Sequence, residues 1–194
     1  MQAAGGLSLD DGKLHELSSV WNVSIHLAVM RQPYLDYVID GSKTVESRLT
    51  KNRIVPYRAA GPGDIILFKE SGGPISAVAV VRNARFFEIK DAAELGEVVD
   101  PYLPGLAYDD DFLPSKAEAR FVSLITIDSV APLAALRMEK QSRQSWVTYR
   151  PGFPAAGLTP ESAGRQFAIL MSGSLGGGKS SAGQVVATKL GLPR

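Results

Sequence analysis

Short apolar runs separated by turn-forming residues make up most of the chain. Pro, Gly and Asp cluster between the runs, as in residues 61–64 and 71–74, and such clusters favour tight turns. Because no long helical pattern lies between the runs, they indicate a small barrel or curled sheet and not a doubly wound fold. The predicted strands cover residues 24–30, 43–50, 65–69, 75–81 and 120–127.

Two short helices are predicted among these strands. Apolar residues recur at helical spacing over residues 34–39, after Pro33, which suits a first helical turn, and before Gly41, which suits the position just past a helix end. Residues 91–99 form the second predicted helix. The proline-containing, acidic stretch over residues 102–115 predicts a loop. The pattern therefore favours the α+β class, with a small β-barrel that carries short helices.

The chain divides into four predicted parts. Residues 1–23 are expected to form a loosely ordered extension, and residues 24–150 the barrel domain. Residues 151–165 are rich in Pro, Gly and Ala, which is typical of a linker. Residues 166–194 predict a separate strand, glycine-rich loop and helix.

Composition excludes several kinds of site. The 194 residues include no cysteine and only two histidines, so we expect neither a disulfide nor a metal site. The net charge of +1 is low for a protein that coats duplex nucleic acid, and a nucleic-acid role must rest on a local basic site. No apolar run is long enough to cross a bilayer and no signal peptide is recognisable, so a cytoplasmic protein without a membrane partner is expected.

The first candidate site is a charged segment after the first helix. Lys43, Glu46 and Arg48 follow Gly41 within eight residues. A lysine and an arginine beside a carboxylate can grip a phosphate or a base edge, and the same groups can transfer protons if burial shifts their pKa values. The simpler alternative is an exposed strip of ion pairs that contributes little to stability.

Three strings in this region resemble the opening of an ASCH domain. They are HLAVMRQPYL from His26, DGSKTVESR from Asp40 and PGDIILF from Pro62. The resemblance covers about two-thirds of the chain, and the K-T-x-E-x-R string is its specific part. It implies a PUA-like barrel that binds RNA or a modified nucleotide in a cleft. The residues that it places in this cleft are Lys43, Thr44, Glu46 and Arg48.

The resemblance also keeps an enzyme open as an alternative. Some ASCH proteins hydrolyse an acetylated cytidine with a lysine that corresponds to Lys43, and others are nucleases. In the hydrolases a threonine stands where this chain has Glu46. This difference favours binding over hydrolysis. If the chain is a hydrolase, Lys43 and Glu46 are the predicted acid–base pair.

The second candidate site lies near the end of the chain. Residues 173–180 match the phosphate-binding P-loop pattern, with Gly173, Gly178, Lys179 and Ser180 at its defining positions. The loop resembles the start of a nucleoside or nucleotide kinase and would hold ATP or GTP with Mg²⁺ as its cofactor. Only fourteen residues follow Ser180. A truncated kinase module, a tail packed on the barrel and a working phosphate site are the three interpretations.

Two smaller signals accompany these sites. Arg82, Arg85, Phe86 and Phe87 interleave charge with aromatic rings, as platforms for single-stranded nucleic acid do, although packing of the rings on the barrel is the simpler interpretation. Trp146, within a basic stretch, is expected to be a core residue.

Overall fold

The computed structural model describes residues 8–140 and 142–152. The strands are β1 Ser8–Asp10, β2 Ile25–Met30, β3 Val45–Thr50, β4 Ile65–Glu70, β5 Ile75–Glu88, β6 Phe121–Glu139 and β7 Trp146–Tyr149. The helices are α1 Asp11–Trp21, α2 Tyr34–Asp40, α3 Ala92–Val99 and α4 Leu103–Leu106. These elements confirm the α+β class. The predicted strand, P-loop and helix over residues 166–194 lie outside the described residues, as does the predicted linker beyond residue 152.

The seven strands form one open sheet. Its order is β1-β6-β5-β4-β2-β7, and β3 pairs with the first part of β6 on the side opposite β5. β3 and β7 are both edge strands, and within the described part of the chain they do not pair with each other. The expectation of a barrel is therefore wrong in the strict sense. A side chain reaches from β3 across the opening to β2, the strand next to β7, since Arg48 Nη2 on β3 donates to the carbonyl oxygen of Val29 on β2 over 3.2 Å.

β5 and β6 are the two longest strands and bend the sheet. Both extend well past the runs that the sequence pattern predicts, to Glu88 and Glu139 respectively. Their antiparallel pairing shifts register at three places. Bulges of this kind kink and twist a strand pair. β6 can therefore pair with different strands at its two ends. Its first part pairs with β3 and its last three residues pair in parallel with β1.

Residues 8–21, the described part of the expected loose extension, form a strand and a helix. Asp10 caps α1 by accepting a hydrogen bond from the Lys13 backbone N–H over 2.8 Å. Leu14 and Leu17 are buried against the sheet, and the hydroxyl of Ser18 lies 2.9 Å from the carbonyl oxygen of Tyr149 on β7. Residues 8–21 therefore belong to the folded unit, because their apolar face covers core that would otherwise meet water.

Three apolar clusters hold the fold together. One lies between α1 and the sheet and includes Leu14. The second fills the inner face of the curled sheet and includes Trp146, which is 1% exposed, as expected of a core residue. The third packs α3 and α4 against β3 and β6 and includes Leu106. Among the described residues, no helix is long and apolar enough to cross a membrane.

Candidate functional site

A cleft lies where the curled sheet fails to close. It has a volume of about 530 Å³ and is lined by residues of β2 and β3, by the segment after α4 and by Ser145, which precedes β7. Both edges of the sheet thus contribute to it. The same missing strand pairing that leaves the sheet open leaves room for a ligand.

The floor of the cleft carries a buried cluster of three charges. Arg48 Nε lies 2.9 Å from Glu46 Oε1, and Lys43 Nζ lies 3.6 Å from Glu46 Oε2. The side chains of Lys43 and Glu46 are 3% and 4% exposed, and that of Arg48 is 17% exposed. The interpretation of this segment as an exposed ion-pair strip is therefore wrong. Burial places the cluster among interactions whose disruption is costly.

Lys43 is held chiefly by backbone carbonyl groups. Its ammonium group donates to the carbonyl oxygens of Val45 over 2.9 Å and of Leu106 over 2.8 Å. Burial lowers the pKa of Lys43, and the neighbouring Glu46 carboxylate opposes this shift. Since these two hydrogen bonds go to the protein itself, the structure favours a role for Lys43 in holding Glu46 in place.

Arg48 connects the charge cluster to the opposite wall. The carbon of its guanidinium group lies 5.2 Å from the centre of the Trp146 ring, and its Nη2 atom reaches Val29 on β2. The Nε contact with Glu46 is an ion pair without the alignment of a hydrogen bond. A guanidinium group stacked on an aromatic face and held by a carbonyl group is pre-organised, so little side-chain entropy remains to be lost when a ligand binds.

Aromatic rings form a second wall of the cleft. Tyr108 and Phe112 stack with their ring centres 4.0 Å apart, and Tyr34 meets Phe112 edge to face. The Tyr108 hydroxyl donates to Ser47, and the Tyr34 hydroxyl donates to Asp109 over 2.8 Å. Burial raises the pKa of Tyr108, and its hydroxyl proton is the one donated to Ser47. The wall therefore consists of aromatic rings whose hydroxyl groups are fixed by hydrogen bonds.

A hydrogen-bonded histidine supports Trp146 from inside the core. The Trp146 indole N–H donates to His26 Nδ1 over 3.3 Å, while His26 Nε2 lies 3.1 Å from Asp64 Oδ2. The Thr148 hydroxyl lies 3.0 Å from the same Nδ1 atom. Because Nδ1 accepts from the indole, the proton of a neutral imidazole belongs on Nε2 and points to Asp64. The P-G-D turn thus supplies the carboxylate that fixes His26.

The charge of the cleft is positive. Arg31 and Lys116 line its rim, in addition to Lys43 and Arg48 on its floor, and Glu46 is the carboxylate among the lining residues. This balance favours an anionic ligand. No group of three or more His, Asp or Glu side chains in residues 8–140 and 142–152 is arranged to hold a metal ion.

The structure brings together three of the four predicted cleft residues. Lys43, Glu46 and Arg48 line the cleft, whereas Thr44 is exposed outside it and uses its backbone to pair with Gly105 and Ile127. The roles of all four residues stay predictions. The predicted P-loop residues Gly173, Gly178, Lys179 and Ser180 lie outside the described residues.

Sequence reasoning missed the aromatic wall and the support of Trp146. Tyr108 and Phe112 flank the acidic run of the predicted loop, a position that resembles an ordinary solvated turn. Phe86 and Phe87 are partly buried in two different apolar clusters, which agrees with packing and not with a shared platform.

The structural similarities to known proteins described here are distant. No protein-family model matches the chain, and no curated protein matches it. The structure of ASCH from Zymomonas mobilis aligns with a TM-score of 0.48 and 9% identity, covering 84% of this chain and 94% of that chain. A mutant form of ZmASCH aligns with a TM-score of 0.47 and 12% identity over 58% of this chain and 75% of that chain.

The N-terminal domain of Staphylothermus marinus McrB is more distant. It aligns with a TM-score of 0.39 and 10% identity over 71% of this chain and 81% of that chain. At these scores the similarities assign neither a family nor a function to this chain. The ASCH relationship therefore stays a prediction from the sequence strings.

Proposed function

We propose that the cleft binds a nucleotide, either free or as one unit of a single-stranded RNA. The observation that carries this proposal is the buried Glu46 carboxylate between Lys43 and Arg48, on the floor of a positively charged cleft with an aromatic wall. A volume of about 530 Å³ lies within the range of small-ligand sites. The ASCH resemblance implies the same ligand class.

The features of the cleft match the base and the phosphate of a nucleotide. Tyr108 and Phe112 form an aromatic wall against which a base can pack, and stacking of a base on an aromatic ring contributes roughly 1–3 kcal/mol per base. A carboxylate has roughly four acceptor positions, and Glu46 uses only two ion-pair contacts, so it can accept from an exocyclic amino group of cytosine or adenine. The rim cations Arg31 and Lys116 are available to the phosphate.

Titration calorimetry with nucleoside monophosphates tests this proposal. Wild-type protein is expected to bind CMP or AMP more tightly than UMP, because UMP lacks the amino group. Arg48→Met is expected to weaken binding at least about tenfold, since a charge-assisted contact contributes roughly 1.5–3 kcal/mol. Arg137→Met, at the far end of β6, is the matched control and should bind as wild type does. Absence of binding in the wild type, or unchanged binding in Arg48→Met, contradicts the proposal.

A hydrolase is the second candidate, and the lowered pKa of Lys43 favours it. A lysine whose pKa burial lowers, next to a carboxylate, is a common arrangement for proton transfer. The two carbonyl contacts of Lys43 argue for a holding role instead. Incubation with an acetylated cytidine and with RNA separates the candidates. Turnover by the wild type that disappears in Glu46→Gln would establish an enzyme. Absence of turnover would contradict the hydrolase and favour the nucleotide-binding function.

A further inference from the structure

A second cationic surface lies directly beside the cleft. Thr50 at the end of β3 lines the cleft, and the connection from β3 to β4 begins at the next residue. Thr50 pairs with Phe121 of β6, so the two side chains lie on the same face of the sheet. Arg53 stacks on that face, with its guanidinium carbon 5.4 Å from the centre of the Phe121 ring. Arg53 is therefore a neighbour of the cleft wall.

A buried tyrosine forms the base of this surface. Tyr57 is 7% exposed and packs edge to face against Phe121 and Phe86, with ring centres 5.1 Å and 5.7 Å away. The guanidinium groups of Arg53 and Arg58 both lie against the Tyr57 ring, at 5.7 Å and 5.4 Å from its centre. Two arginines stacked on one rigid ring are held near each other and face solvent.

The pairing of three strands places this surface relative to the charge cluster. Arg48 pairs with Ser123 of β6, and Ser123 pairs with Phe86 of β5, so the three residues form one row on the inner face of the sheet. Neighbouring strands lie about 4.8 Å apart, which puts the backbone of Phe86 about 10 Å from that of Arg48. Because Tyr57 packs on Phe86 and both arginines lie against Tyr57, this row of residues connects the charge cluster to the surface that carries Arg53 and Arg58.

Arg58 is an exposed residue in an uncommon backbone conformation. Its φ of 53° lies in the left-handed region, which is uncommon for a residue other than glycine. Within the described part of the chain it forms no ion pair with a carboxylate, whereas Arg53 pairs with Glu88. Both side chains of that pair are exposed, so a phosphate can replace Glu88 as the partner of Arg53 with little loss of free energy.

We propose that Arg53 and Arg58 bind the phosphates of a single-stranded RNA that continues out of the cleft. This inference rests on the proposed function for its starting point and adds a second, sequence-independent contact surface. It also explains how a chain with a net charge of +1 can bind RNA, because the cations are concentrated beside one cleft.

The test compares a mononucleotide with a hexanucleotide of RNA. Wild-type protein is expected to bind the hexanucleotide at least about tenfold more tightly than CMP at low salt. Arg58→Asn, which tolerates a left-handed backbone, should weaken hexanucleotide binding and leave CMP binding unchanged. The slope of log affinity against log salt concentration should fall by about 0.7 in this variant, the value for one lost contact to a single-strand phosphate.

Controls separate this inference from the proposal for the cleft. Arg137→Asn carries the same loss of charge at the other end of β6 and should leave the salt slope unchanged. Equal affinities of the wild type for CMP and the hexanucleotide, or an unchanged slope in Arg58→Asn, overturn the inference. Absence of CMP binding in the wild type overturns the cleft proposal, and the salt slope for the hexanucleotide then still shows whether Arg58 contacts a phosphate.

Discussion

Two groups of ion pairs, one on β3 and one just after it, differ in how deeply they are buried. Lys43, Glu46 and Arg48 lie at the edge of the inner core, and their side chains are at most 17% exposed. A few residues later, Lys51 pairs with Glu118 and Arg53 pairs with Glu88, and all four side chains are more than half exposed. The residue types are the same. In the first group, backbone carbonyl groups accept hydrogen bonds from Lys43 and Arg48, and a lost partner leaves a charge buried away from water.

The comparison explains why the two groups suit different tasks. Buried charges are pre-organised and can discriminate one ligand from another, because an incorrect ligand leaves them unpaired. Exposed charges exchange partners easily and bind any phosphate, with a strong dependence on salt. The proposed division into a selective cleft and an outer phosphate surface follows from this difference.

The largest expected effect comes from removing the buried carboxylate. Glu46→Gln should lower the free energy of unfolding by about 3 kcal/mol or more, because Lys43 and Arg48 then remain buried without their counter-charge. Glu118→Gln, the matched change in an exposed pair, should alter it by less than about 0.5 kcal/mol. Urea denaturation followed by circular dichroism measures both. Equal losses in the two variants would show that burial does not distinguish these groups.

A smaller effect is expected from the support behind the cleft. His26→Gln can still reach Asp64 but removes the acceptor of the Trp146 indole N–H, and should cost roughly 1–3 kcal/mol of stability, the penalty for a buried donor without a partner. His26→Asn places an oxygen near the Nδ1 position and should retain the indole hydrogen bond. The chemical shift of the Trp146 indole proton, assigned against Trp21→Phe, reports this bond.

The two histidine variants also connect stability to binding. Because Trp146 supports Arg48, His26→Gln should weaken CMP binding more than His26→Asn does. If the indole proton shifts equally in both variants and binding changes equally, His26 does not position the cleft through Trp146.

The smallest expected effect concerns the exposed pair of Arg53. Glu88→Gln frees Arg53 and removes a negative charge beside the proposed RNA path, and should increase hexanucleotide affinity about twofold, as expected for an exposed pair worth a few tenths of a kcal/mol. CMP affinity and the free energy of unfolding should stay unchanged. Filter binding at low salt measures the change, and weaker hexanucleotide binding in Glu88→Gln would argue against an RNA path over Arg53.

Local patterns predicted the strands and helices near the cleft. The turn at residues 61–64, the helix before Gly41 and the strand that contains Glu46 depend on short-range chemistry that is visible in the sequence. α1 could also have been predicted from the sequence, since Asp10 is a good N-cap residue and Leu14 and Leu17 share one helix face with Trp21. The charged residues before β2 concealed this pattern.

The amino-acid sequence by itself determined which segments are extended, which residues carry charge and that Lys43, Glu46 and Arg48 are close together along the chain. Only the tertiary structure decided that β3 lies at an open edge of the sheet, where Trp146 contacts Arg48 and Tyr108 contacts Ser47. Contacts between residues so far apart in sequence depend on register, bulges and packing of the whole chain, which no local pattern contains. Burial is a property of the assembled fold, and burial separates the cluster in the cleft from the ion pairs beside it.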